Sequence, residues 1–70
     1  MTNFHEATNV EVIETTRVGA RWLPRRREMT LASASVLCDV TITFLANELT
    51  RRGIHIRRVS MDYRILVISL

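Results

Sequence analysis

From Tyr63 to Leu70 the chain runs YRILVISL, a stretch that places apolar side chains on both faces of any strand it forms. In a chain of 70 residues this sets the hardest condition on the fold, because cover for two faces must come from very little else. A domain this short buries only about 60% of its unfolded surface and is marginal without added staples. The single cysteine, Cys38, excludes an intrachain disulfide. Hydrophobic residues make up 47% of the chain, so apolar material is present and the constraint lies in what covers it.

The best candidate for that cover is the frame SASVLCDVTITFLANELTRRG. At about 100° per residue, Leu31, Ala34, Leu37, Cys38, Ile42, Leu45 and Leu49 fall on one stripe. Ser35, Asp39, Thr43, Asn47 and Thr50 fall largely opposite, while Val36 and Val40 sit off the stripe. Arg51 and Arg52 close the last turn, where cations offset the helix dipole, and Gly53 supplies a C-cap. Elsewhere the period is two. Asn9 to Thr15 sets Val10 and Val12 against Glu11 and Ile13, and Arg17 to Leu23 reads as a second strand with Gly19 at a bulge or bend. Pro24 and Arg25 to Arg27 then read as a connection. After Gly53 come Ile54 to Ser60 and Tyr63 to Leu70, joined at Met61-Asp62.

These elements give an α+β chain of ββαββ type: one long helix packed on a small, mostly antiparallel sheet, with the apolar C-terminal strand inside it. The alternative is a small five-stranded β-barrel, because Val40 to Phe44 (VTITF) also alternates like a strand. Residues 1–8 are polar and expected as a flexible N-terminus, and 9–70 as a single domain.

A two-residue turn at Met61-Asp62 pairs Ser60 with Tyr63 and, by even counting, Arg58 with Ile65. One face then carries Ile54, Ile56, Arg58, Tyr63, Ile65 and Val67 and should lie under the helix. The other carries His55, Arg57, Val59, Arg64, Leu66, Ile68 and Leu70. A single helix leaves this second face bare, and an apolar patch rimmed by arginine has the character of an interface. Arg57, Arg64, His55, Leu66, Ile68 and Leu70 are therefore the candidate partner-binding residues. The occupant is a second copy in a homodimer, a larger protein or nucleoprotein target, or the chain's own N-terminal segment folded over through Trp22 and Leu23. Arg58, on the helix side, is expected to meet Asp39.

All ten basic residues are arginine and none is lysine, which excludes Schiff-base chemistry and a P-loop. Arg25, Arg26 and Arg27 form the densest cluster and adjoin Trp22, a possible anion or nucleic-acid contact. His5, His55, Cys38 and Asp39 lack zinc spacing, and Glu11 and Glu14 do not alternate onto one strand face. No catalytic residue, metal site or cofactor is expected. The apolar-leaning run Leu31 to Ala46 is too short and polar to span a membrane, and the N-terminus lacks a signal peptide's apolar core, so a cytoplasmic protein is expected. In size and general character the chain resembles the short phage-encoded proteins that inhibit host machinery, anti-CRISPR proteins among them. That likeness is one of style, carried by no motif. The expected function is a non-enzymatic interaction module that modulates or inhibits a larger assembly; the alternative is a nucleic-acid-binding dimer with its arginine clusters on phosphates.

Overall fold

A computed structural model describes residues 4–70. Strands β1 (Asn9–Val18) and β2 (Arg21–Thr30) are followed by helices α1 (Leu31–Cys38) and α2 (Ile42–Arg52), then β3 (Ile54–Ser60) and β4 (Tyr63–Ser69). The described residues form one open antiparallel sheet in the order β2-β1-β4-β3. The fold is thus α+β with an antiparallel sheet, and the apolar C-terminal strand lies inside it. The sheet is open, so the five-stranded barrel does not form, and the single long helix is replaced by two.

The break in the helix has a local cause. Asp39 adopts the left-handed conformation (φ 56°) that ends α1, and Val40 N–H turns back to the Ser35 carbonyl at 3.0 Å. Thr41, in extended backbone, then caps α2 by accepting from Phe44 N–H at 3.0 Å. The β-branched run Val40 to Thr43 gains little from helix and a threonine cap gains more. The off-stripe valines follow from this. Val36 faces solvent at 81% exposure, and Val40 lies in the link, packed partly on the core.

The first hairpin is longer than its sequence signal. Gly19 does not mark a bulge; with φ 65° it is the first residue of a two-residue turn, the arrangement of a type II′ hairpin. Arg25 to Arg27 belong to β2 and are not a connection. Pro24 is tolerated there because β2 is an edge strand and its missing N–H can face outward. β2 runs directly into α1, with Thr30 as N-cap accepting from Ser33 N–H at 3.2 Å.

Met1 to Asn3 of the expected N-terminal tail lie outside the described residues. From Phe4 onward the tail meets the fold: Phe4 packs against the core, and the carbonyls of Thr8 and Glu6 accept from Leu31 N–H (2.7 Å) and Ala32 N–H (3.1 Å). Those contacts satisfy donors that the start of a helix leaves free.

The core is one layer. Val10 and Val12 of β1 and Ile65 and Val67 of β4 meet Leu31, Ala34 and Cys38 of α1 and Leu45 and Leu49 of α2, all buried. Cys38 is a packing residue, and burial raises its thiol pKa above the ordinary range, opposed by the nearby Arg57 charge.

A broken helix and a continuous one respond oppositely at Thr41. In a continuous helix Thr41→Ala would gain helix propensity; as a lost N-cap it should destabilise the protein by about 1 kcal/mol, measured by urea unfolding.

Candidate interaction surface

Cross-strand partners share a face, so the register assigns every strand side chain. On β4, Tyr63, Ile65 and Val67 face the helices and Arg64, Leu66 and Ile68 face away, as the alternation predicts. On β3 the assignment is inverted. Ser60 pairs with Tyr63, but Arg58 pairs with Arg64 rather than Ile65, because a bulge at Val59 inserts one unpaired residue. The slip turns the rest of β3 over. Arg57 pairs with Ile65 and His55 with Val67, on the helix side, while Ile54, Ile56 and Arg58 join the open face.

Two of the expected partner-binding residues therefore sit elsewhere. His55 packs edge-on against Phe44 of α2, ring centroids 5.6 Å apart, and Arg57 lies near Cys38. Arg58 faces away from the helices, so the expected pair with Asp39 does not form. Arg64, Leu66 and Ile68 do come together. Leu70 follows the end of β4 and is exposed.

The open face can be read as four rows, from the β2 edge to the β3 edge. Glu28, Glu11, Ile68 and Ile54 form the first; Arg26, Ile13, Leu66 and Ile56 the second; Pro24, Thr15, Arg64 and Arg58 the third. Trp22 and Arg17 begin a fourth. Ile13, Leu66, Ile68, Ile54 and Ile56 make a contiguous apolar patch, in which Ile54 and Ile56 are exposed and Ile13, Leu66 and Ile68 are half-buried. Among the described residues nothing covers it. The segment from Phe4 to Thr8 lies at the start of α1, and of Trp22 and Leu23 only Trp22 is on this face.

Around the patch the arginines are held differently. Arg64 stacks on Trp22, its guanidinium carbon 4.1 Å from the ring centroid. Arg58 stands beside it, with no carboxylate in ion-pair reach among the described residues, and Thr15, Ile56 and Leu66 complete a depression between the two arginines. Arg17 is neutralised by Asp62, 3.1 Å away. The Arg25–Arg27 triplet is divided by strand alternation. Arg26 faces the open side, 3.6 Å from Glu11, whereas Arg25 and Arg27 face the helix side. There Arg27 lies 2.7 Å from Glu14, and Glu14 also accepts from the Tyr63 hydroxyl. The triplet and Trp22 consequently do not form a single anion site. Arg51 and Arg52 end α2, with Arg52 3.7 Å from Glu48.

Sequence reasoning missed Ile13, Ile54, Ile56 and Arg58 as members of this surface. Alternation had set Ile13 beside Glu11, but only the sheet order puts β1 next to β4. Nothing in the β3 sequence marks the bulge.

Comparison with protein-family models, curated proteins and solved structures returns no match. The geometry stands alone. Among the described residues no helix is long and apolar enough to cross a membrane, and no three His, Cys, Asp or Glu side chains converge as a metal site.

Two measurements probe these contacts. Trp22 is the sole tryptophan, so Arg64→Ala should raise its fluorescence quenching by acrylamide, whereas Arg57→Ala, on the other face, should not. Tyr63 is the sole tyrosine, and its hydrogen bond to Glu14, then burial and the Glu14 charge, raise its pKa above 10.0. A raised folded pKa means that this contribution to stability is present below the unfolded pKa and lost as pH rises through the folded one. An ultraviolet titration should show the raised value, and Glu14→Gln should bring it down.

Proposed function

We propose that the protein is a non-enzymatic interaction module whose working surface is the open face of its sheet, and that it modulates or inhibits a larger protein or nucleoprotein assembly in the manner of small phage-encoded inhibitors. The observation that carries the reading is the isoleucine–leucine patch beside Arg58, Arg64 and Trp22, over which no element packs among the described residues. Apolar patches of this kind tend to be covered by something, and arginine and tryptophan are enriched where the cover is a protein. Three groups that could do chemistry are held in other roles: Cys38 is buried in the core, His55 packs on Phe44, and Glu14 is shared by Arg27 and Tyr63.

A nucleic-acid-binding reading has one observation in its favour, the Trp22–Arg64 stack with Arg58 alongside, which puts an aromatic and two cations on an open sheet. Against it, Glu11 and Glu28 share the face and would repel a phosphate backbone laid along it.

Capture of partners from cells of its source should compare the wild type with Ile56→Ser/Arg64→Ala and with Arg57→Ala. The first variant alters the open face and should lose the wild-type partners; the second alters the opposite face and should keep them. Equal recovery by all three proteins would sink the reading. Nucleic acid co-purifying with the wild type, and lost steeply with salt, would favour the second reading.

A further inference from the structure

The open face holds two unfavourable contacts that a single chain does not resolve. Glu11 and Glu28 stand directly opposite each other on β1 and β2, and Arg58 and Arg64 stand directly opposite each other on β3 and β4. Like charges in such cross-strand pairs are destabilising. Arg26 relieves the acidic pair only in part, at 3.6 Å from Glu11, and among the described residues Glu28 has no cation within ion-pair distance. Trp22 draws Arg64 aside but supplies no countercharge. The two pairs occupy opposite corners of the three complete rows, with Ile13 and Leu66 between them and the rest of the apolar patch to one side.

We propose that this face is self-complementary and is covered by a second copy of the chain in a two-fold dimer, in which Glu11 and Glu28 of one protomer meet Arg58 and Arg64 of its partner. The proposal rests on the open face being the working surface and names its occupant.

The sheet geometry supports one arrangement. With roughly 4.8 Å between strands and about 6.8 Å between successive residues on one face, the acidic and basic pairs are roughly 17 Å apart. Their midpoint falls on the Ile13–Leu66 pair, the end of the apolar patch nearest β2. A two-fold axis lying in the interface through that point exchanges the charged corners and brings Ile56 onto Ile68 of the other copy. The two sheets then cross steeply, near the orthogonal mode of sheet packing. Every contact occurs twice, as an isologous interface requires. The three complete rows measure roughly 19 by 20 Å, or about 800 Å² in total for two protomers, the size of a weak interface. A dimer of this size depends on its charged corners and is sensitive to salt.

The test is sedimentation equilibrium with a charge swap. The wild type should show a dimer whose dissociation constant rises at least about tenfold between low and about 1 M salt, where screening reaches about 3 Å. Arg58→Glu/Arg64→Glu makes both corners acidic, and Glu11→Arg/Glu28→Arg makes both basic; each should weaken self-association at least about tenfold. Mixed in equal amounts, the two variants should form a heterodimer near wild-type strength. Circular dichroism melts check that each variant folds, and the salt series on the wild type decides the matter if either does not. A wild type that stays monomeric, a dimer indifferent to salt, or folded variants that do not associate when mixed would each overturn the proposal. A monomer that still loses its captured partners through Ile56→Ser/Arg64→Ala would overturn only the dimer and leave the open face as the working surface.

Discussion

The structure depends on a one-sided core. Val10, Val12, Ile65 and Val67 from the two central strands meet α1 and α2 in a single layer, and α1 and α2 are the only helices among the described residues. Each strand of a sheet has two faces, but two short helices on one side can cover only one of them. The apolar character of Leu66, Ile68 and Ile13 on the far side is therefore unspent by the core. The same layer accounts for the placing of Cys38 and for the tie between the end of α2 and the sheet, where Gly53 N–H reaches the Leu49 carbonyl at 2.8 Å and Ser69 N–H the Gly53 carbonyl at 3.2 Å.

The two edges are managed differently. β2 carries Pro24 and β3 carries the Val59 bulge, and both devices discourage further strands from adding at the edge. The bulge has a second effect, which reaches the surface chemistry. By inserting one residue it sends Arg57 toward the helices and Arg58 outward, next to Arg64. An arginine that would have been spread over the rim becomes half of a like-charged pair. That concentration of charge gives the open face its polarity.

Much of the frame was legible in the residues. Alternation at Val10 and Val12 and the apolar run in β4 identified two strands correctly and gave the right faces for Arg64, Leu66 and Ile68. Of the helical stripe, Leu31, Ala34, Cys38, Leu45 and Leu49 are buried and Leu37 and Ile42 partly so, while Ser35, read as opposite to it, is buried too. The break at Asp39 was not legible, because the stripe continues across it and Thr41 looks like any β-branched residue until its cap geometry is formed. The Arg25–Arg27 run read as a loop because charge and proline outweighed pairing, yet β1 offers Glu11 and Glu14 on opposite faces to receive two of the three.

The sequence by itself determined which residues were apolar and at what period, hence an α+β chain with more apolar strand surface than helix to cover it. Period and hydrophobicity are local, so they survive without knowledge of neighbours. Register is not local. Whether Arg57 or Arg58 faces outward depends on one unpaired residue, and whether Ile13 adjoins Leu66 depends on the order of strands. Those contacts join residues far apart in the chain, and only the tertiary structure decided them.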